Sequence, residues 1–256
     1  MDFATPLIPA RLQRRYKRFL ADVILPDGSE VIVHCPNPGS MLGLAGPGTI
    51  CWLSDHRGGN RKLPFGWEIA ELPGPAADLS RRLVGINTGH ANAIVAEALA
   101  AGRIDSLAGY RETRREVKVG ARSRLDFQLL GGPPSGPESC FVEVKSVTLS
   151  RVTGLAEFPD ARTERGARHL LELAELAAAG HRAVLLFLVQ RADCDSVRCA
   201  ADIDPAYAAT LQQVAGRVEI RAYRCDFALN GIGPRGTTPR GITLAAEIPV
   251  TGLIRP

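Results

Sequence analysis

Residues 123–130 read SRLDFQLL and residues 140–149 read CFVEVKSVTL, joined over 131–139 by GGPPSGPES. Apolar alternation predicts a strand in each run, and the glycine–proline connection can continue neither, so the two are expected as neighbours. Side chains two apart on a strand share a face. Arg124, Asp126 and Gln128 therefore project to one side, with Leu125, Phe127 and Leu129 on the other. In the second run Glu143 and Lys145 share a face, while Val142 and Val144 turn towards apolar packing. A register that sets Asp126 beside Glu143 brings two carboxylates and a lysine together. Carboxylates at a sheet end suit a hard cation such as Mg²⁺ or Mn²⁺, and such a cation polarises a phosphate and acidifies water. Lysine adds a compact positive charge where arginine would be bulkier. A second Glu-x-Lys, Glu116-x-Lys118, follows the charged run RETRR and reads as a solvated outer strand. Only 4 of the 31 basic residues are lysines, so Lys145 in a nearly apolar strand stands out. The competing reading is an ordinary ion pair on an exposed sheet face.

Around this pair the text predicts an α/β core. Helical spacing covers Asn92 to Gly102, then RREVKVG precedes the two strands. A helix is expected from Ala161 to Ala179, stopped by Gly180, with Asp160 as its N-cap. RAVLLFLV (182–189) is a continuous apolar run of the kind a doubly covered strand shows. A helix over Pro205–Val214 and a strand in VEIRAYRCDFAL follow, and from Asn230 the text is rich in Gly, Pro and Thr. The N-terminal part differs. FLADVIL and SEVIVHC flank a Pro26-Asp27-Gly28 turn, TICWLS and FGWEIAEL read as further strands, and no long helix intervenes. Several short strands in so few residues suggest a small oligonucleotide-binding (OB) barrel. With PGPAADLSRR as linker, the expected division is a barrel over 1–80, an α/β domain over 81–230 and a tail over 231–256.

The 256 residues are 45% hydrophobic and 23% charged, as in a globular protein. No apolar run reaches the roughly 18 residues of a membrane helix, and the N-terminal text lacks a signal-peptide block. A cytoplasmic protein without membrane association is expected. Its six cysteines form no Cys-x-x-Cys pair and are expected as reduced thiols; Cys194 and Cys199 lack two further ligands for zinc. The net charge is +4, with a local basic excess between residues 81 and 128. Arg14, Arg15, Lys17 and Arg18 interleave with Tyr16 and Phe19, a pattern that can follow a phosphate backbone while stacking on bases. Arg124, and Arg165 with His169 one helical turn apart, are further candidates for phosphate contact. His34 is expected to hydrogen-bond at the domain junction. GLAGPG lacks the Lys-Ser/Thr of a phosphate loop, and no Gly-x-Ser-x-Gly elbow is present.

The strings RYKRFLADV, HCPNPGSM, WLS, RKL, VGINT, SRLDF, VEVKSVTL, FPDARTERGARHL and RAVLLFLVQR resemble the sugar fermentation stimulation protein (SfsA) family in the same order, from about residue 3 to 225. The resemblance implies an OB domain followed by a nuclease-like domain of the PD-(D/E)xK class. It also implies DNA binding of little sequence specificity, to single or double strands, and a regulatory role in sugar (maltose) use. By that pattern Asp126 is the first acid, Glu143 and Lys145 are the Glu-x-Lys, and Glu97 lies on the helix that sometimes adds an acid. Two functions are thus expected: a Mg²⁺- or Mn²⁺-dependent nuclease, or a non-catalytic DNA-binding regulator on the same fold. One departure stands out: where the family has Pro-Asn-Thr-Gly-Ser-Met, this chain has Pro38 in place of the threonine. A proline supplies neither hydroxyl nor N–H.

Overall fold

Short apolar-alternating runs build six strands at the N-terminal end: β1 (Ile8–Tyr16), β2 (Leu20–Ile24), β3 (Glu30–His34), β4 (Ile50–Asp55), β5 (Phe65–Leu72) and β6 (Arg82–Gly85). The computed structural model describes residues 1–73, 82–120, 123–134, 136–231 and 237–253. The strands lie in the order β3-β2-β1-β4-β5-β6, and His34 of β3 pairs in parallel with Gly66 of β5. That pairing closes β1 to β5 into an OB barrel filled by Val23, Val33, Leu53 and Trp67, among others. Closure leaves the barrel strands without the open edges that invite aggregation. The β2–β3 hairpin turns as expected: Asp27 Oδ1 accepts the Ser29 N–H at 2.9 Å, and Gly28 takes φ +86°. β6 pairs with β5, so the barrel sheet continues beyond the boundary expected at residue 80. The linker expected over 73–82 falls largely outside the described residues.

The rest of the chain forms helices α1 (Ala91–Ala100), α2 (Glu164–Ala178) and α3 (Pro205–Val214) among ten further strands. Six of these make one mixed sheet: β7 (Glu112–Val119), β8 (Ser123–Leu130), β9 (Ser139–Val147), β12 (Arg182–Val189), β14 (Glu219–Leu229) and β15 (Pro239–Glu247). Their order is β15-β14-β12-β9-β8-β7, with β9, β12 and β14 mutually parallel. A smaller sheet, β10-β11-β13-β16, is built from β10 (Leu149–Val152), β11 (Gly154–Phe158), β13 (Cys194–Cys199) and β16 (Val250–Thr251). As its apolar run requires, β12 is covered on both faces. Val184, Leu186 and Leu188 join one core with α1, while Leu185, Phe187 and Val189 join another with α2 and α3. The first core also takes Leu7, Trp52, Ile69 and Leu83 from the barrel, so barrel and sheet share one apolar interior. Each fully buried leucine or isoleucine there contributes about 1.5–3 kcal/mol.

The stretch expected as a tail is part of this sheet. β15 pairs antiparallel with β14 and buries Ile242 and Leu244. The chain start lies beside it, with Phe3 N–H donating to Arg240 O and Ile242 N–H to Met1 O. Only long-range pairing gives this Thr- and Gly-rich text its strand. No helix among the described residues is long and apolar enough to cross a membrane.

Candidate active site

The β8–β9 ladder ends at the pair Phe127–Val142, and the next residues are Asp126 and Glu143. Beyond that point the Asp126 carboxylate takes the place of a ladder carbonyl: its Oδ2 accepts the Val144 N–H at 2.8 Å. Its Oδ1 accepts from the Asn92 side-chain amide of α1 at 2.7 Å. The carboxylate is thereby fixed between the sheet and a helix. Glu143 Oε1 accepts from Lys145 Nζ at 2.6 Å and is also bonded to His169 Nδ1 of α2. The Glu143 and His169 side chains are 4% and 3% exposed, and that of Lys145 13%. This is no exposed surface ion pair. Among the described residues, Glu143 Oε2 is buried without a hydrogen-bond partner.

Electrostatics separate the two acids. Burial, reinforced by the neighbouring Glu143 charge, pushes Asp126 up to about 6. Burial also pushes Glu143 upward, but the His169 hydrogen bond and the Lys145 charge outweigh it and hold Glu143 below the ordinary carboxylate value. Two acids driven apart in this way, in one cleft, are typical of functional sites. An unpartnered carboxylate oxygen beside a carboxylate that resists carrying its charge fits a hard cation, which takes oxygen ligands and favours both charged forms. Among the described residues no third His, Cys, Asp or Glu completes a metal-holding group with them.

The cleft above these residues encloses about 490 Å³ and has walls from both halves of the chain. On the barrel side lies the loop Pro36–Met41. Asn37 anchors it, donating through Nδ2 to Ile86 O at 2.9 Å and accepting the Gly39 N–H at 2.8 Å. Arg15 donates to the carbonyls of Asn37 (2.8 Å), Gly39 (2.9 Å) and Ser40 (3.2 Å). From the other side, Asp160 Oδ2 accepts the Met41 N–H at 3.1 Å, and a β-carbon at Gly39 would collide with that carboxylate. The loop is thus a strap from barrel to sheet. The donors it uses are Gly39 and Met41, and Pro38 itself is exposed, so the proline costs the strap none of these bonds.

Several expected residues meet here and others do not. Asp126, Glu143, Lys145, Arg18, Arg165 and His169 all line the cleft. His169 faces Glu143, while Arg165 Nε sits 3.3 Å from His169 Nε2. Glu97 does not join them: it is paired at 2.7 Å with both the Met1 amine and Arg103. Five residues beyond Asn92 on a helix is about 140° around the axis, which turns Glu97 away from Asp126. Arg14 and Tyr16 both bond Asp22, at 2.7 and 3.0 Å, and Arg15 holds the strap. Lys17 is exposed at the β1–β2 turn, with φ +48°. Arg124 is exposed on β8 and is not among the cleft-lining residues. Asp160 does not cap α2; Thr163 does, its Oγ1 accepting the Gly166 N–H at 3.0 Å, so the helix starts three residues later than expected. His34 is exposed and stacks on Phe19, with ring centroids 6.4 Å apart. Asn92, Arg162 and the strap loop are cleft elements that the sequence reading missed. The six cysteines are unpaired.

A closed OB barrel docked on a mixed α/β sheet, with Asp, Glu and Lys where two strands part, defines a class of OB-plus-α/β proteins. The chain belongs to the sugar fermentation stimulation protein family. Its residues 14–86 match the SfsA N-terminal OB domain, and residues 89–231 match the sugar fermentation stimulation protein RE domain. A sugar fermentation stimulation protein homolog of Rhodospirillum centenum is 56% identical over 91% of this chain and 96% of its own length. A Roseobacter denitrificans homolog is 48% identical over 98% and 99%. The structure of Pyrococcus furiosus SfsA in complex with Ca²⁺ superposes with a TM-score of 0.79 at 27% identity, covering 98% of each chain.

Proposed function

We propose that this protein is a DNA-binding, metal-dependent phosphodiesterase of low sequence specificity, acting in the cleft between barrel and sheet. The observation that carries the reading is the buried Asp126–Glu143–Lys145 cluster, with Lys145 Nζ 2.6 Å from Glu143. Asp126 and Glu143 would hold Mg²⁺ or Mn²⁺, and the complex of Pyrococcus furiosus SfsA with Ca²⁺ supports a divalent cation in this family. Such a cation, when bound, supplies Lewis-acid polarisation of the phosphate and lowers the pKa of water. The protein's own side chains do the positioning. Asn92 and the Val144 N–H orient Asp126, and His169 locks Glu143. Lys145 presents an ammonium that can orient the attacking water or offset charge growing on the phosphate. Arg18, Arg162 and Arg165 line the same cleft, where phosphate contacts confer affinity without base readout. We place the protein in the cytoplasm.

One observation favours a second reading, a non-catalytic DNA-binding regulator of sugar metabolism. Glu143 Oε1 is already held by Lys145 and His169, a contact set that a purely structural cluster would also keep. End-labelled single- and double-stranded DNA incubated with Mg²⁺ or Mn²⁺ separates the two. The nuclease requires cleavage that EDTA abolishes and that falls at least about 10²-fold in both Asp126→Ala and Lys145→Ala. Salt-sensitive binding with no cleavage, unchanged in both variants, would leave the regulator.

A further inference from the structure

Immediately beyond the catalytic cleft the barrel carries a second cavity of about 560 Å³ that the proposed chemistry does not use. The two are separated by a ridge one residue thick on each side. Pro36 and Asn87 line the second cavity, while their chain neighbours Asn37 and Thr88 line the cleft. Thr88 ties the ridge together, its N–H and Oγ1 both donating to Pro36 O at 3.1 and 3.2 Å.

The lining is sorted by depth. Phe65 forms an apolar wall, and on the floor the buried Glu68 carboxyl accepts from Ser54 Oγ at 2.6 Å and from Asn87 Nδ2 at 2.7 Å. Gly66 keeps the floor open: a β-carbon there would press on Ser54, His56 and Glu68 at 3.0–3.3 Å. At the rim stand Arg61 and Lys62, both exposed, with Arg61 2.7 Å from His56 Nε2. His34, also lining the cavity, stacks on exposed Phe19, and Phe19 directly follows the cleft-lining Arg18. An aromatic step and a cationic rim therefore run from the cleft to this cavity.

We propose that this cavity is a nucleotide subsite for single-stranded DNA, receiving a base a short distance from the phosphate held in the cleft; the proposal rests on the phosphodiesterase reading above. The lining decides the orientation. A phosphate on the floor would face the Glu68 oxygens, whereas at the rim it meets Arg61 and Lys62. A base has apolar faces that suit Leu63 and Phe65 and an edge whose N–H groups can donate to Glu68, which Asn87 holds in place. A base that enters a cavity must leave its stack and its partner strand, which costs least when the DNA is already single-stranded. The subsite thus makes single strands, or the frayed ends and flaps of duplexes, the favoured substrate.

Fluorescence anisotropy in EDTA, with a labelled oligo-dT and a blunt duplex of equal length, tests this without turnover. Arg61→Ala/Lys62→Ala changes only exposed side chains, and Arg103→Ala, at a residue that lines neither cavity, serves as control. The double variant is expected to lose about tenfold or more in oligo-dT affinity, with the salt slope falling by about 1.4, the value for two lost single-strand contacts. Duplex affinity should change less than about twofold. Equal losses for both DNAs would overturn the subsite, because a general cationic patch does not discriminate. Undiminished oligo-dT binding alongside persistent metal-dependent cleavage would overturn the subsite alone. Failure of the wild type to bind either DNA would overturn the phosphodiesterase reading as well. Oligo-U bound more tightly than oligo-dT would overturn the assignment to DNA.

Discussion

Acid should weaken this protein through Glu157 in a way that one substitution isolates. Glu157 lies on β11, immediately before the residues Phe158–Asp160 that wall the cleft, and its side chain is 0% exposed. Arg151 donates to it at 2.8 and 2.9 Å, and Arg198 at 2.8 Å. The Arg151 hydrogen bonds, helped by Arg198 and opposed by burial, hold its pKa down from 4.5 to about 2. A folded-state value below the unfolded one means that the stabilisation is complete above the unfolded pKa and is lost as pH falls through 4.5 towards 2. The full difference is about 3 kcal/mol, and about 2 kcal/mol of it is gone by about pH 3. Glu157→Gln removes this titration. In the otherwise unchanged chain it should cost about 3 kcal/mol near neutrality, the stabilisation its charge supplies, while Arg151 keeps Asp202 as a second anion. Urea unfolding followed by circular dichroism at several pH values between about 6.5 and 3 gives both stabilities. The gap between wild type and variant should shrink by about 2 kcal/mol over that range. Acids that touch neither arginine titrate equally in both proteins and cancel; Asp202, which also bonds Arg151 at 2.9 Å, is taken out of the comparison by placing both proteins on an Asp202→Asn background. Stabilities that fall in parallel would refute the reasoning, since Glu157 would then carry no depressed pKa.

Three further outcomes follow from the site and its supports. Gly39→Ala should destabilise by about 1–3 kcal/mol, since the new methyl meets the Asp160 carboxylate. Adding Asp160→Ala should recover part of that loss, and thermal melts of the two singles and the double read the coupling. His169→Ala removes one of the two groups that oppose burial at Glu143, so its pKa should rise and the Mg²⁺ needed for half-maximal cleavage should increase about 10–100-fold. An unchanged metal requirement would show that His169 does not tune the carboxylate. Deleting residues 237–253 uncovers the β14 edge and removes Ile242 and Leu244 from the core. Lowered thermal stability and aggregation are expected, whereas a truncated protein that melts like the full chain would mark β15 as dispensable.

What the sequence determined by itself is what depends on short-range pattern. Period-two alternation in SRLDFQLL and CFVEVKSV placed Asp126, Glu143 and Lys145 on neighbouring strands, and the apolar run of β12 announced a doubly covered strand. The Pro-Asp-Gly turn and the run of short strands marked the barrel. Tertiary structure decided whatever depends on partners distant in the chain. Asn92 rather than Glu97 reaches Asp126, because the angle at which α1 docks selects one helical face. Arg15 holds carbonyls of the Pro36–Met41 loop instead of a phosphate backbone, and Asp160 holds that loop from 119 residues away instead of capping α2. β15 owes its strand to the open edge of β14, with only weak alternation of its own. A strand's alternation is written in its own residues. Which charge finds which partner is set by closing the barrel onto the sheet, where burial leaves each polar group to bond whatever donor or acceptor packing brings within reach.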